Sequence, residues 1–173
     1  MCCLLFMATG RDNKLVGAAG QYLVAAELCR RGLIATTFTG NVPYYDIIAS
    51  DEKGQHVSVQ LKASRSGSWQ FGDVSKFFDV AFDGQKQKTG KIKASPVARL
   101  IVVFVVIGDK GNDRFYILAW DQLRDILRDG HKRYIAKHQG VRPKKWDSLH
   151  GALLEENFLQ FRDNWKLIKQ SLR

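Results

Sequence analysis

The chain has 173 residues, with 27 Lys+Arg against 17 Asp+Glu and a formal net charge of +10. That length suits one domain with a sizeable core, and 45% hydrophobic with 25% charged residues excludes disorder over the whole chain. No apolar run approaches the roughly 20 residues of a membrane helix, so the cation excess points to polyanions, nucleic acid foremost. Cys2, Cys3 and Cys29 give neither a disulfide framework nor zinc spacing, which fits a reducing, cytoplasmic setting. Residues 1–12 read as a flexible tail and 13–173 as a single domain.

The first predicted helix spans Lys14–Arg31, where Leu15, Ala18, Ala19, Tyr22, Ala26 and Cys29 recur at helical spacing. Asp12 or Asn13 caps its start and Gly32 stops it. Gly17 and Gly20 weaken it intrinsically, which predicts close packing against a neighbour. Strands follow at Leu33–Thr39 and Tyr44–Ala49, separated by the Gly40–Pro43 turn. A third runs from His56 to Ala63 after an Asp51–Gly54 hairpin turn. In it Val57, Val59 and Leu61 point one way, while His56, Ser58, Gln60 and Lys62 point the other.

Ser64–Ser95 reads either as short strands or as an interrupted helix around Trp69–Phe71 and Phe77–Phe82. Leu100–Ile107 is continuously apolar, as in a strand buried on both faces, and forms a hairpin with Arg114–Trp120. Asp121 is expected to cap a helix to Arg128. A second short helix is expected over His131–His138, and a final amphipathic one over Glu155–Ser171.

The informative stretch is Tyr45-Asp46-Ile47 followed by Gln60-Leu61-Lys62. Hairpin pairing brings Asp46, Gln60 and Lys62 to one sheet end, because Gln60 and Lys62 share a face. Phosphodiester hydrolysis uses such a set. A carboxylate holds Mg²⁺ (or Mn²⁺), a second oxygen completes the site, and an ammonium orients water and offsets phosphate charge. The Leu61 carbonyl is a further oxygen in reach.

These residues resemble the PD-(D/E)xK nuclease superfamily, nearest to its small endonucleases associated with group I introns, in which Gln often replaces the motif Glu. The resemblance covers about Lys14–Ile107. It implies an α/β, restriction-endonuclease-like αβββαβ core: a mixed central sheet with helices on its faces. It also implies that Asp46 and Gln60 (with Leu61) hold the metal and that Lys62 activates water. Gln21 would support the site from the first helix, where much of the superfamily carries an acid. Two amides in place of carboxylates imply weaker Mg²⁺ binding. Glu27, about 240° around the helix from Gln21, reads as a solvated residue.

Nucleic-acid contacts are expected from Ser64 and Arg65 after the motif, and from Lys86, Lys88, Lys91 and Lys93. The basic run with Lys132, Arg133, Lys137, Arg142, Lys144 and Lys145, near Tyr134 and Trp146, adds phosphate and stacking surface. His56, His131, His138 and His150 share no spacing and read as ordinary polar residues. The reading is a Mg²⁺-dependent DNA endonuclease acting as a homodimer. The alternatives are a catalytically degenerate nucleic-acid-binding relative and a basic protein-interaction domain.

Overall fold

A computed structural model of the chain describes residues 10–38, 40 and 42–173. Helix α1 (Gly10–Arg30) leads into β1 (Ile34–Thr37), β2 (Ile47–Ser50) and β3 (His56–Ser64). A connection containing β4 (Ser68–Phe71), β5 (Phe78–Asp83) and β6 (Lys86–Ile92) precedes β7 (Ile101–Val106) and β8 (Arg114–Ala119). Helix α2 (Trp120–Lys137), strand β9 (Gly151–Leu154) and helix α3 (Lys166–Ser171) complete the chain. Most of the tail expected over residues 1–12, namely 1–9, lies outside the described residues.

The central sheet has the order β1-β2-β3-β7-β8. It is antiparallel except where β3 meets β7 in parallel, Gln60 beside Val102 and Lys62 beside Phe104. Every residue of β7 is buried. Its odd positions, Ile101, Val103 and Val105, join Val24 and Leu28 of α1 and Ile168 of α3 in one core. Its even positions, Val102, Phe104 and Val106, join Trp69, Phe71, Leu123 and Phe158 in a second, aromatic core. The mixed sheet with helices on its faces is therefore present as expected. The crossover from β3 to β7, however, contains strands and one 3-10 turn (Val74–Lys76) where the expected order has a helix.

Helix α1 turns a different face inward from the one its apolar spacing predicts. Leu15 and Tyr22 are 59% and 69% exposed, whereas Gly20, Val24 and Leu28 are buried. A Cβ on Gly20 would sit 2.5 Å from the Ala63 Cβ, so the helix rests on β3 through a bare glycine. Gly17 has open space around its Cα, so close packing explains one of the two glycines only.

Three further expectations change. Helix α2 runs unbroken through Gly130, because Leu123, Leu127, His131 and Ile135 form one buried stripe at i, i+4 spacing. It begins at Trp120, before Asp121, so Asp121 is not its cap; the Trp120 N–H donates to the Leu100 carbonyl at 2.9 Å. The predicted last helix is instead a 3-10 segment over Glu155–Phe161 and the short α3, interrupted where Asp163 takes φ of 50°. Strand β9 pairs with β4 antiparallel, Ser68 opposite Leu154.

Candidate active site

The register of β2 and β3 sets Ile47 opposite Val59. Asp46 lies one residue before β2. Its N–H donates to the Val59 carbonyl at 2.9 Å, so Asp46 and Ile47 both lie against Val59. Asp46 Oδ2 accepts the Leu61 N–H at 2.7 Å. Asp46 and Lys62 thus come together at one end of the sheet, where their charges act on each other, and Gln60 shares the Lys62 side of β3 by strand alternation. Leu61 enters this geometry through its N–H, and its side chain packs on the opposite core.

Gln21 reaches the same end from α1, its Nε2 donating to the Asp46 backbone carbonyl at 2.9 Å. It fixes the position of the acid by its backbone. Glu27, on another face of α1, ion-pairs with Arg30 and Arg31, in keeping with a structural role.

Burial dominates the electrostatics. It raises the Asp46 pKa above the usual carboxylate value, against the Leu61 N–H and the Lys62 charge, which lower it. Burial likewise lowers the Lys62 pKa; Asp46 opposes this and the Lys76 charge adds to it. The Lys62 ammonium lies 5.1 Å from the Phe71 ring centroid, within cation–π range. Trp69 Nε1 donates to the Lys62 carbonyl at 3.0 Å, so β4 grips the lysine's own backbone.

Lys62 also lines an open cleft of about 730 Å³ shared with Asp12, Asn13, Ser64, Arg65, Ser66 and Gln70. Ser64 Oγ accepts the Ser66 and Ser68 N–H groups, ordering the turn that presents Arg65. The sequence pattern did not reveal Trp69, Phe71 or Lys76. The Trp69-Gln70-Phe71 alternation on a strand was the available signal, since Trp69 and Phe71 then share the face that Lys62 occupies.

Among the expected nucleic-acid residues, Lys86 and Lys88 are exposed on β6 with Gln87 buried between them. Strict alternation would place Lys91 and Lys93 on the other face, but β6 carries one extra residue between Thr89, opposite Val80, and Ile92, opposite Phe78. This bulge restores the phase. Lys88 pairs with Asp83 at 2.8 Å and Lys93 with Asp79 at 3.3 Å, two acids on one face of β5. Lys132, Arg133, Lys137, Lys144 and Lys145 are exposed. Arg142 is engaged within the protein: its guanidinium donates to Gln87 Oε1 and to the His150 carbonyl and lies 5.0 Å from the Tyr134 ring centroid. His131 departs from the ordinary-residue reading. It is 5% exposed, its Nε2 meets Gln87 Oε1 at 3.0 Å, and its pKa is pushed down to about 4 by burial and then by Arg142.

No helix among the described residues is long and apolar enough to cross a membrane. No family model and no curated protein matches the sequence. Among solved structures, the chain is similar to the bacterial homing endonuclease I-Ssp6803I, at 16% identity and a TM-score of 0.51. The match covers 92% of this chain and 94% of that one, so the two share a fold over almost their whole length.

Proposed function

We propose that this protein is a metal-dependent DNA endonuclease of the PD-(D/E)xK type. What supports the reading is the approach of Asp46 and Lys62 at the end of a parallel-paired strand, with Asp46 Oδ2 held by the Leu61 N–H and Gln60 on the same strand two residues before Lys62. The likeness to a homing endonuclease supports it.

The donors suit Mg²⁺. Among the described residues no cluster of three or more His, Cys, Asp or Glu exists, so Asp46 is the anionic ligand and Gln60 a neutral one. Mg²⁺ keeps several waters and is commonly held by one or two carboxylates plus substrate phosphate, so a single acid suffices. When bound, the ion polarises the scissile phosphate and acidifies water. Asp46 fixes that charge at the sheet end, and Gln21 fixes Asp46. Lys62 orients the attacking water and offsets the charge that grows on phosphate as the new P–O bond forms and the bridging one breaks. Phe71 and Trp69 hold its ammonium and backbone so that little reorganisation accompanies the step. Cutting both strands of a duplex calls for two copies related by a twofold, a homodimer at least.

The absence of any group of three or more acidic, His or Cys ligands among the described residues is also what favours the second reading, a nucleic-acid-binding relative without cleavage. Incubation with supercoiled plasmid and Mg²⁺ or Mn²⁺ separates the two. The first reading requires nicked or linear product that disappears with Lys62→Ala and with chelator. Binding without any product supports the second.

A further inference from the structure

Strands β5 and β6 form a two-stranded ribbon separate from the central sheet. Its outward face carries lysines, and among the described residues Lys86 and Lys91 enter no ion pair. The ribbon does not stand alone. The Gln87 N–H donates to the Gly140 carbonyl at 2.8 Å, and Gln87 Nε2 donates to the carbonyls of Trp146 and Ser148 at 2.5 and 3.0 Å. Gln87 Oε1 faces His131 Nε2 and Arg142 Nε, and Thr89 Oγ1 meets His131 Nδ1 at 2.8 Å. The backbone N–H and both side-chain polar atoms of a 2% exposed glutamine thus fasten β6, α2 and the loop holding Lys144 and Lys145 into one body.

The surface so fastened is cationic and has an aromatic edge. Phe82 and Trp146 meet edge-to-face at 5.8 Å while 44% and 42% exposed, next to Lys144 and Lys145 in the chain. At its other end the ribbon joins the candidate active site. The Lys93 N–H donates to the Phe77 carbonyl at 2.9 Å, and Phe77 packs on Phe71, the ring beneath the Lys62 ammonium. Holding an exposed basic loop with a buried amide, imidazole and guanidinium makes sense where the loop must be rigid before it meets its partner, because ordering on binding lowers affinity.

We infer that the ribbon and the loop after α2 form one preassembled arm that grips duplex DNA on the flank of the cut site. This rests on the endonuclease reading and adds the surface to it. A two-stranded ribbon fits the roughly 12 Å major groove, and the lysines contact phosphates on its walls. The partner is duplex DNA, because the ribbon is tied through Phe77 and Phe71 to the site proposed to cut a phosphodiester.

The test is the triple variant Lys86→Ala, Lys91→Ala, Lys144→Ala, three exposed residues outside the catalytic set. Binding of a short duplex is followed by fluorescence anisotropy across a salt series. The expected result is several-fold weaker binding at moderate salt, with the slope of log affinity against log salt flattened by up to about 0.9 per lysine. Lys62→Ala, measured beside it, keeps most of its affinity. An unchanged affinity and slope in the triple variant, with wild type binding normally, overturns the arm and leaves the endonuclease reading intact. Wild-type protein that binds no duplex overturns that reading and the arm together. Displacement of bound duplex by polyglutamate or duplex RNA as readily as by DNA also overturns it, since the arm would then be a surface for any polyanion.

Discussion

Gln21 and Asp46 are joined by one hydrogen bond, from an amide on the first helix to the backbone carbonyl of the acid, at 2.9 Å. The carboxylate is therefore aimed by two backbone tethers, this one and the Leu61 N–H on Oδ2. Gln21→Ala removes the first. The expected outcome is about 1 kcal/mol of lost stability, the usual net worth of such a bond, and a cleavage rate lowered tenfold or more with duplex affinity unchanged. Single-turnover cleavage and binding, measured on the same preparation, separate these effects. An equal loss in both would mean that Gln21 touches DNA.

Gln60 lies on the Lys62 side of β3, and a carboxylate there would add an anionic ligand beside Asp46. Gln60→Glu should bind Mg²⁺ more tightly, read by titration calorimetry. Unchanged affinity would place Gln60 away from the ion.

Burial works against the charged forms of both Asp46 and Lys62. The Asp46 pKa is raised on folding, so its contribution to stability is present below the ordinary carboxylate value and lost as pH rises through the raised one. The Lys62 pKa is lowered on folding, so stability gained from it appears as pH climbs above the folded value towards that of free lysine. Burial thus opposes the charged form of each group. The double variant Asp46→Asn, Lys62→Met should therefore melt higher than wild type at pH 7 while losing all cleavage. A lower melting temperature would show that the pair holds the sheet end together.

His131 behaves in the opposite sense to Asp46. Its pKa falls from 6.5 to about 4, so its contribution is fully present above 6.5 and is lost as pH drops through about 4. The full contribution, reached above pH 6.5 and shrinking below it, is on the order of 3 kcal/mol. NMR titration should find one imidazole that stays neutral near pH 5, and His131→Leu should flatten the acid limb of a stability–pH curve. An imidazole titrating normally would mean that the Gln87 network opens to water.

Gly20 and Gly17 make a paired test of helix packing. Gly20→Ala drives a methyl into Ala63 and should destabilise the protein by about 1–3 kcal/mol, the usual range for overpacking. Gly17→Ala meets open space and should stabilise it by up to about 1 kcal/mol through helix propensity. Urea denaturation of both variants checks the contrast.

What the sequence disclosed follows from which forces act locally. The β3 alternation was readable because a half-buried strand writes its two faces into successive residues, and Asp46, Gln60 and Lys62 came with it. The buried face of α1 was not readable, because its central residue is Gly20, which carries no hydrophobic signal, while Leu15 and Tyr22 on the exposed side do. In the middle segment, β4 is held by β9, far away in the chain, and the lysine phase on β6 depends on a bulge that composition does not reveal. Gly130 suggested a break in α2 that packing of the stripe from Leu123 to Ile135 overrides. Histidine spacing likewise missed His131, whose partners Thr89 and Gln87 come from a different element.

The parallel pairing of β3 with β7 has a consequence for how the chain assembles. The strand carrying Lys62 has β2 along one edge from a local hairpin, but its other edge is closed only by Ile101–Val106, which leaves β4, β5 and β6 to be made in between. Until that distant apolar segment docks, β3 is an open edge, and such non-local closures are slow and prone to mispairing. Arrival of β7 is then the step that both seals the sheet and completes the catalytic face. A nascent chain released before residue 106 has every proposed catalytic residue and no active site.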